Sequence, residues 1–129
     1  MKTALILVAG LILAGQIWGG AVALAGPWED GMAAYNRGDY VPAMTVFRAM
    51  AQQGNAKAQH VLGVMYHRGQ GVKRNPVRAF VWFSRAAASG DAAAKSDLRE
   101  VTKTMTPEEL GQAREMAQAC EVSDYRSCE

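Results

Sequence analysis

Ala58-x-x-x-Leu62-Gly63-x-x-Tyr66-x-x-Gly69-x-Gly71-Val72, and a few residues on Ala79-x-x-Trp82-Phe83-x-x-Ala86-Ala87-x-x-Gly90-Asp91, decide how this chain folds. Ala58, Leu62, Met65 and Tyr66 recur at the spacing of one face of a helix, which predicts a helix from about Ala56 to His67. Gly63 lies beside that stripe, where a missing side chain lets a neighbouring helix come close. Gly69-Gln-Gly71 breaks the helix in a turn that suits left-handed backbone. Pro76 then opens another helix where its missing N–H costs nothing, with Ala79, Trp82, Phe83, Ala86 and Ala87 facing inward and Gly90 ending it.

The pattern repeats. At an offset of 36 residues Ala43 falls on Ala79, Phe47 on Phe83, Ala51 on Ala87, Gly54 on Gly90, Asn55 on Asp91, Ala58 on Ala94 and Leu62 on Leu98. These are mostly small or apolar positions in helical phase, so the repeat is a structural unit that buries its core by stacking on its neighbours. Working outward, Tyr40 to about Gln53 reads as a helix with Ala43, Val46, Phe47, Met50 and Ala51 on its apolar stripe, stopped by Gly54. Asp91 is placed to cap a further helix. Thr106-Pro107-Glu108-Glu109 is a capping box that starts a last helix through Leu110, Ala113, Ala117 and Cys120.

The two quoted stretches together resemble one full Sel-one-like repeat, a branch of the tetratricopeptide-like α-solenoids. Gly38-Asp39-Tyr40-x-x-Ala43-x-x-x-Phe47-x-x-x-Ala51-x-x-Gly54-Asn55-Ala56 resembles the second half of an earlier repeat that has a plain tetratricopeptide turn in place of the Gly-x-Gly-Val loop. The resemblance spans about residues 30–120. It implies an all-α fold: a short right-handed solenoid of antiparallel helix pairs with a C-terminal capping helix, a concave face, and a protein-binding or scaffolding role. Repeats are expected at about 30–57 and 58–93, a capping region at 94–120 and a C-terminal tail at 121–129. Some secreted members pair cysteines within each repeat and have been linked to β-lactam binding. Here Cys120 and Cys128 lie outside the repeats, so that property is not carried over.

Composition agrees with helices. The 129 residues are 50% hydrophobic and 20% charged, which fits one globular domain and excludes disorder. All isoleucines (Ile6, Ile12 and Ile17) precede residue 26, and the rest is rich in alanine, the best helix former, and poor in the β-branched residues that strands prefer. The first 25 residues have a charged start at Lys2, an apolar run, and the small-x-small ending Ala23-Leu24-Ala25, the parts of a secretory signal peptide cleaved after Ala25. An uncleaved membrane anchor is the rival reading, with Gln16 and Gly19-Gly20 against it. Residues 26–129 are then expected to be soluble and periplasmic or secreted, without stable membrane insertion.

Charge is uneven. Between Asp39 and Asp91 there is no acid, while Arg48, Lys57, Arg68, Lys73, Arg74, Arg78 and Arg85 all fall there. This basic middle either faces an acidic partner or consists of solvated helix faces, some paired with the acidic C-terminal third. The overall net charge of +2 and the export signal argue against a nucleic-acid partner.

No constellation for chemistry emerges. No serine sits in a Gly-x-Ser-x-Gly turn and no Gly-x-x-x-x-Gly-Lys loop occurs. His60 and His67 are seven residues apart on one helix, about 10.5 Å of rise, too far to share a metal readily. The expectation is therefore no catalytic residue, no cofactor and no metal. Cys120 and Cys128 are expected to close a disulfide that folds the tail back, with two free thiols or an intermolecular bridge as alternatives.

Carried over from the Leu62-Gly63-x-x-Tyr66 match, the concave positions are Lys57, His60, Val64, His67 and Arg68. Four of these five can hold positive charge, which suits a protein or peptide partner, an acidic one in particular. The competing readings are a cell-envelope enzyme or ligand-binding protein of unknown chemistry, and a stack that self-associates through an uncapped end.

Overall fold

The computed structural model describes residues 25–126 and 128–129. The expected signal segment therefore lies outside the described residues, except for Ala25. Among the described residues six helices follow one another: α1 (Pro27–Asn36), α2 (Tyr40–Gln52), α3 (Ala56–Arg68), α4 (Pro76–Ala88), α5 (Ala92–Lys103) and α6 (Pro107–Val122). There are no strands among the described residues. None of these helices is long and apolar enough to cross a membrane.

Local chemistry sets where the helices begin. Asn55, Asn75 and Asp91 each accept a hydrogen bond from a backbone N–H three residues on, at 2.9, 3.0 and 2.8 Å, which satisfies one orphan donor per helix. Thr106 and Glu109 form both halves of the expected capping box. Proline stands in the first turn of α1, α4 and α6, where it removes no helical hydrogen bond.

Glycine against phenylalanine packs the first two helix pairs. A Cβ on Gly63 would lie 2.4 Å from Cδ1 of Phe83, so α3 and α4 approach only because Gly63 has no side chain. The first pair uses the same device, with Gly31 of α1 against the Phe47 ring, where a Cβ would come within 2.9 Å. Leu62, Met65 and Tyr66 of α3 and Trp82 and Phe83 of α4 are buried with Phe47 and Ala51 in one continuous core.

The Gly69–Gly71 loop ties the two pairs together. Gly71 has a φ of +72°, and a Cβ there would sit 2.8 Å from the Tyr40 carbonyl carbon, so both its conformation and its surroundings exclude a side chain. Next to it, Gln70 accepts a hydrogen bond of 2.8 Å from the Tyr35 hydroxyl. The loop thus rests on the corner between α1 and α2.

Burial of α4 goes beyond the expected stripe. Val77 and Val81 are buried along with Ala79, Trp82, Phe83 and Ala86, whereas Ala87 is only half-buried. The reason is topological: α3, α5 and α6 all pack on α4, and a helix covered from several sides is apolar around most of its circumference. Gln59 is fully buried, and its Nε2 donates to the Ala51 carbonyl in the last turn of α2 at 3.1 Å.

Cys120 and Cys128 form a disulfide that turns the chain back after α6. Tyr125 stands against the α2–α3 turn near Gly54, with the Arg85 guanidinium 5.2 Å from its ring centroid.

Candidate functional site

A groove of about 240 Å³ opens between α3 and α5, lined by Val64, His67, Arg68, Phe83, Asp97 and Glu100. Its apolar lining is Phe83 and Val64. Phe83, drawn close by the Gly63 contact, presents its ring beneath α3, and Val64 stands beside it.

Helix α5 supplies acids opposite the α3 strip. Nε2 of His60 is 2.7 Å from Oδ2 of Asp97, and the imidazole lies 5.8 Å from the Phe83 ring centroid. Glu100 accepts a hydrogen bond from Lys103 at 2.8 Å, which holds its carboxyl below the ordinary carboxylate range and keeps it ionised. Nδ1 of His67 is buried and has no hydrogen-bond partner among the described residues. Such an atom leaves an unmet polar group beside the groove.

The five concave positions read from the sequence divide here. Val64, His67 and Arg68 line the groove; His60 is half-buried and engaged with Asp97; Lys57 is exposed on the first turn of α3 and is not part of the lining. Asp97, Glu100 and Phe83 complete the lining and were not singled out as binding residues. The signal for one of them was present, since the offset of 36 carries Val64 onto Glu100, the equivalent position one repeat later. With Asp97 and Glu100 facing Arg68, the groove carries both signs of charge. The strip residues that can hold positive charge thus have acids of α5 beside them, Asp97 at His60 and Asp97 with Glu100 around the groove that Arg68 lines.

The acid-free middle of the chain is answered in part from the end of the structure. Arg48 pairs with Glu129 at 3.1 Å, Arg78 with Glu129 at 3.7 Å and Arg85 with Glu121 at 3.9 Å. Arg85 faces a second groove, on the α4–α6 side, lined also by Phe80, Arg114, Ala117 and Glu121. Among the described residues, no three His, Cys, Asp or Glu side chains come together as a metal site.

Residues 56–91 match the family model of the Sel1 repeat, which takes in α3, the Gly69–Gly71 loop, α4 and the capping Asp91. Among curated proteins, none matches the chain. Repeats of this type generally mediate protein–protein interaction. That repeat lies at the centre of an all-helical stack, with Gly63, Tyr66, Gly69, Gly71, Trp82 and Phe83 in its packing positions, so residues 56–91 of this chain are similar to a Sel1 repeat.

Proposed function

We propose that this protein is an exported, non-enzymatic interaction module that takes a segment of a protein partner in the groove between α3 and α5. The observation that carries the reading is the groove's make-up. An apolar floor of Phe83 and Val64 lies under a rim holding Arg68 on one side and Asp97 and Glu100 on the other. A side chain buried on such a floor supplies affinity, while rim charges of both signs fix the direction in which an extended segment lies. An acidic segment would meet Arg68 and Lys57 but be repelled by Asp97 and Glu100. The better fit is a segment with an apolar anchor flanked by a base and an acid.

Two observations support export. The Cys120–Cys128 disulfide suits an oxidising compartment, and Ala23-Leu24-Ala25 closes an apolar run of signal type. The periplasm or the exterior is the compartment that fits both.

The test is partner capture from an envelope extract by the tagged protein, beside two groove variants and one control variant. Arg68→Glu reverses the single base among the groove-lining residues, and Val64→Asp places a charge on the floor. Both should lose capture; Arg68→Glu, at an exposed position, should keep the wild-type circular dichroism spectrum and stability, while Val64→Asp, packed against the core, should lower Tm and is scored at a temperature where its spectrum matches wild type. Arg114→Glu, on the α4–α6 side, should capture normally. Loss in Arg114→Glu with retention in the other two would move the interface to that side.

A further inference from the structure

Three helices converge on one carboxylate away from the groove. Arg48 of α2, Tyr66 of α3 and Arg78 of α4 surround the side chain of Glu129. Arg48 Nε donates to Glu129 Oε1 at 3.1 Å, the Tyr66 hydroxyl donates to Oε2, and Arg78 approaches Oε2 at 3.7 Å. The donors are also arranged against one another. Arg48 donates to the Tyr66 hydroxyl at 3.3 Å, and the Arg78 guanidinium lies 5.7 Å from the Tyr66 ring centroid.

The cradle belongs to the helical stack, and its occupant does not. The body of Tyr66 is fully buried in the core and fixes the hydroxyl, while α2 and α4 hold the two arginine stems. Glu129 arrives on the tail after α6, held by the Cys120–Cys128 bond and by Tyr125 against Arg85. Two guanidiniums and one neutral hydroxyl around a single carboxylate leave the site with an excess of one positive charge. Hydrogen bonds between ionised partners are stronger than neutral ones, and guanidinium matches carboxylate geometry.

We propose that Arg48, Tyr66 and Arg78 form a carboxylate-recognition site that the chain's own Glu129 fills, and that a glutamate or aspartate of a protein partner's acidic segment takes its place when the tail is displaced. The site stands on α2, α3 and α4 and shares no residue with the groove, so it is independent of the groove reading. It also gives the basic middle of the chain the acidic partner that the groove, with Asp97 and Glu100 in it, does not suit. The tail is then an internal competitor. If it fills the cradle nine-tenths of the time, an external carboxylate binds about tenfold more weakly than the bare site would allow.

The probe is a fluorescently labelled peptide of consecutive glutamates, followed by anisotropy, with an all-glutamine peptide as the uncharged control. Glu129→Gln removes the competing charge with little change of shape, and should bind the glutamate peptide about tenfold more tightly than the wild type. Adding Arg48→Gln or Arg78→Gln to Glu129→Gln should abolish that gain, and raising salt should reduce it by screening. Adding Lys57→Gln and Arg68→Gln instead should leave it intact. In the unaltered protein, excess peptide should shift the Arg48 Nε–H resonance as Glu129 is displaced, a readout that needs no variant to fold.

Equal binding by wild type and Glu129→Gln would overturn the proposal, as would a gain that survives loss of both arginines. A gain that depends on Lys57 and Arg68 would overturn it and place the peptide in the groove instead. Competition by free glutamate as effective as by the peptide would overturn the assignment to a protein segment in favour of a small carboxylate.

Discussion

Gly63→Ala adds one methyl group at an ordinary helical position, and two effects of opposite sign compete. Helix propensity alone favours alanine by about 1 kcal/mol. Against that, the new Cβ would stand 2.4 and 2.5 Å from Cδ1 and Cε1 of Phe83. Carbon atoms in favourable contact are about 3.5–4.0 Å apart, so the ring or the whole of α4 must retreat by about 1 Å. Phe83 is 1% exposed, and its helix is held by α3, α5 and α6 together, so neither retreats freely. Overpacking of this kind costs about 1–3 kcal/mol, and the upper part of that range applies to so short a distance. The net expectation is a loss of about 1–2 kcal/mol, or about 5–15 °C in Tm for a domain of this size. The assay is thermal and urea unfolding followed by circular dichroism at 222 nm, a wavelength that reports helix (about 222 nm is where helical peptide groups absorb with strongest negative ellipticity). Gly111→Ala is the internal control. Gly111 also lies within a helix, but nothing lies within 4 Å of where its Cβ would be. There only propensity acts, and Tm should rise. Combining Gly63→Ala with Phe83→Leu should cost less than the sum of the two single changes, because the smaller side chain leaves room for the methyl. A Gly63→Ala protein that melts at or above the wild type, as Gly111→Ala should, would refute the reasoning that this glycine sets the α3–α4 distance.

Two further expectations concern buried polar groups. Gln59→Ala should destabilise the fold by about 1–3 kcal/mol, since it removes the Nε2 bond to the Ala51 carbonyl, which keeps only the Gly54 N–H, and leaves a void in the core; an unchanged urea midpoint would show that the Gln59 side chain contributes nothing. Tyr66 should give stability an alkaline limit. Burial, followed by its hydrogen bond to Glu129, holds the Tyr66 hydroxyl above its ordinary value, with Arg48 pulling the other way. The folded chain thus keeps this proton more tightly than the unfolded one, whose tyrosine titrates near about 10. The contribution is complete below that pH and is lost as pH rises through the folded value. Tyr66→Phe should therefore differ from wild type by a constant amount near neutrality, with the gap closing above about pH 10. A gap independent of pH would remove Tyr66 as the group responsible.

Much of the fold was legible because its determinants are local. Helix starts were written in Asp91 and Thr106 with Pro76 and Pro107, and helix ends in Gly54, Gly69 and Gly90, since capping needs only residues within one turn of each other. The period of 36 exposed the repeat, and helical spacing placed Ala58, Leu62, Met65 and Tyr66 in the core, all of which are fully buried. Gly63 was recognisable as a close-approach position because a glycine beside an apolar stripe costs helix stability that packing must offset. Its partner Phe83 was not, because no local rule says which ring of the next helix fills the space.

What the tertiary structure alone decided is which charges meet. His60 with Asp97, Arg68 with Asp97 and Glu100 around one groove, and Arg48 and Arg78 with Glu129 are encounters across elements, separated by many residues in the chain. Periodicity assigns a side chain to a face of its own helix, but the sign of the charge opposite depends on how far the neighbouring helix is rotated and shifted. That rotation is set by the Gly63–Phe83 and Gly31–Phe47 contacts and by α4 serving three neighbours at once. In the sequence the basic run between Asp39 and Asp91 left two readings open, a surface for an acidic partner and solvated faces paired in part with the acidic C-terminal third. The stack divides the run between a groove that α5 lines with acid and a cradle that the tail closes with Glu129.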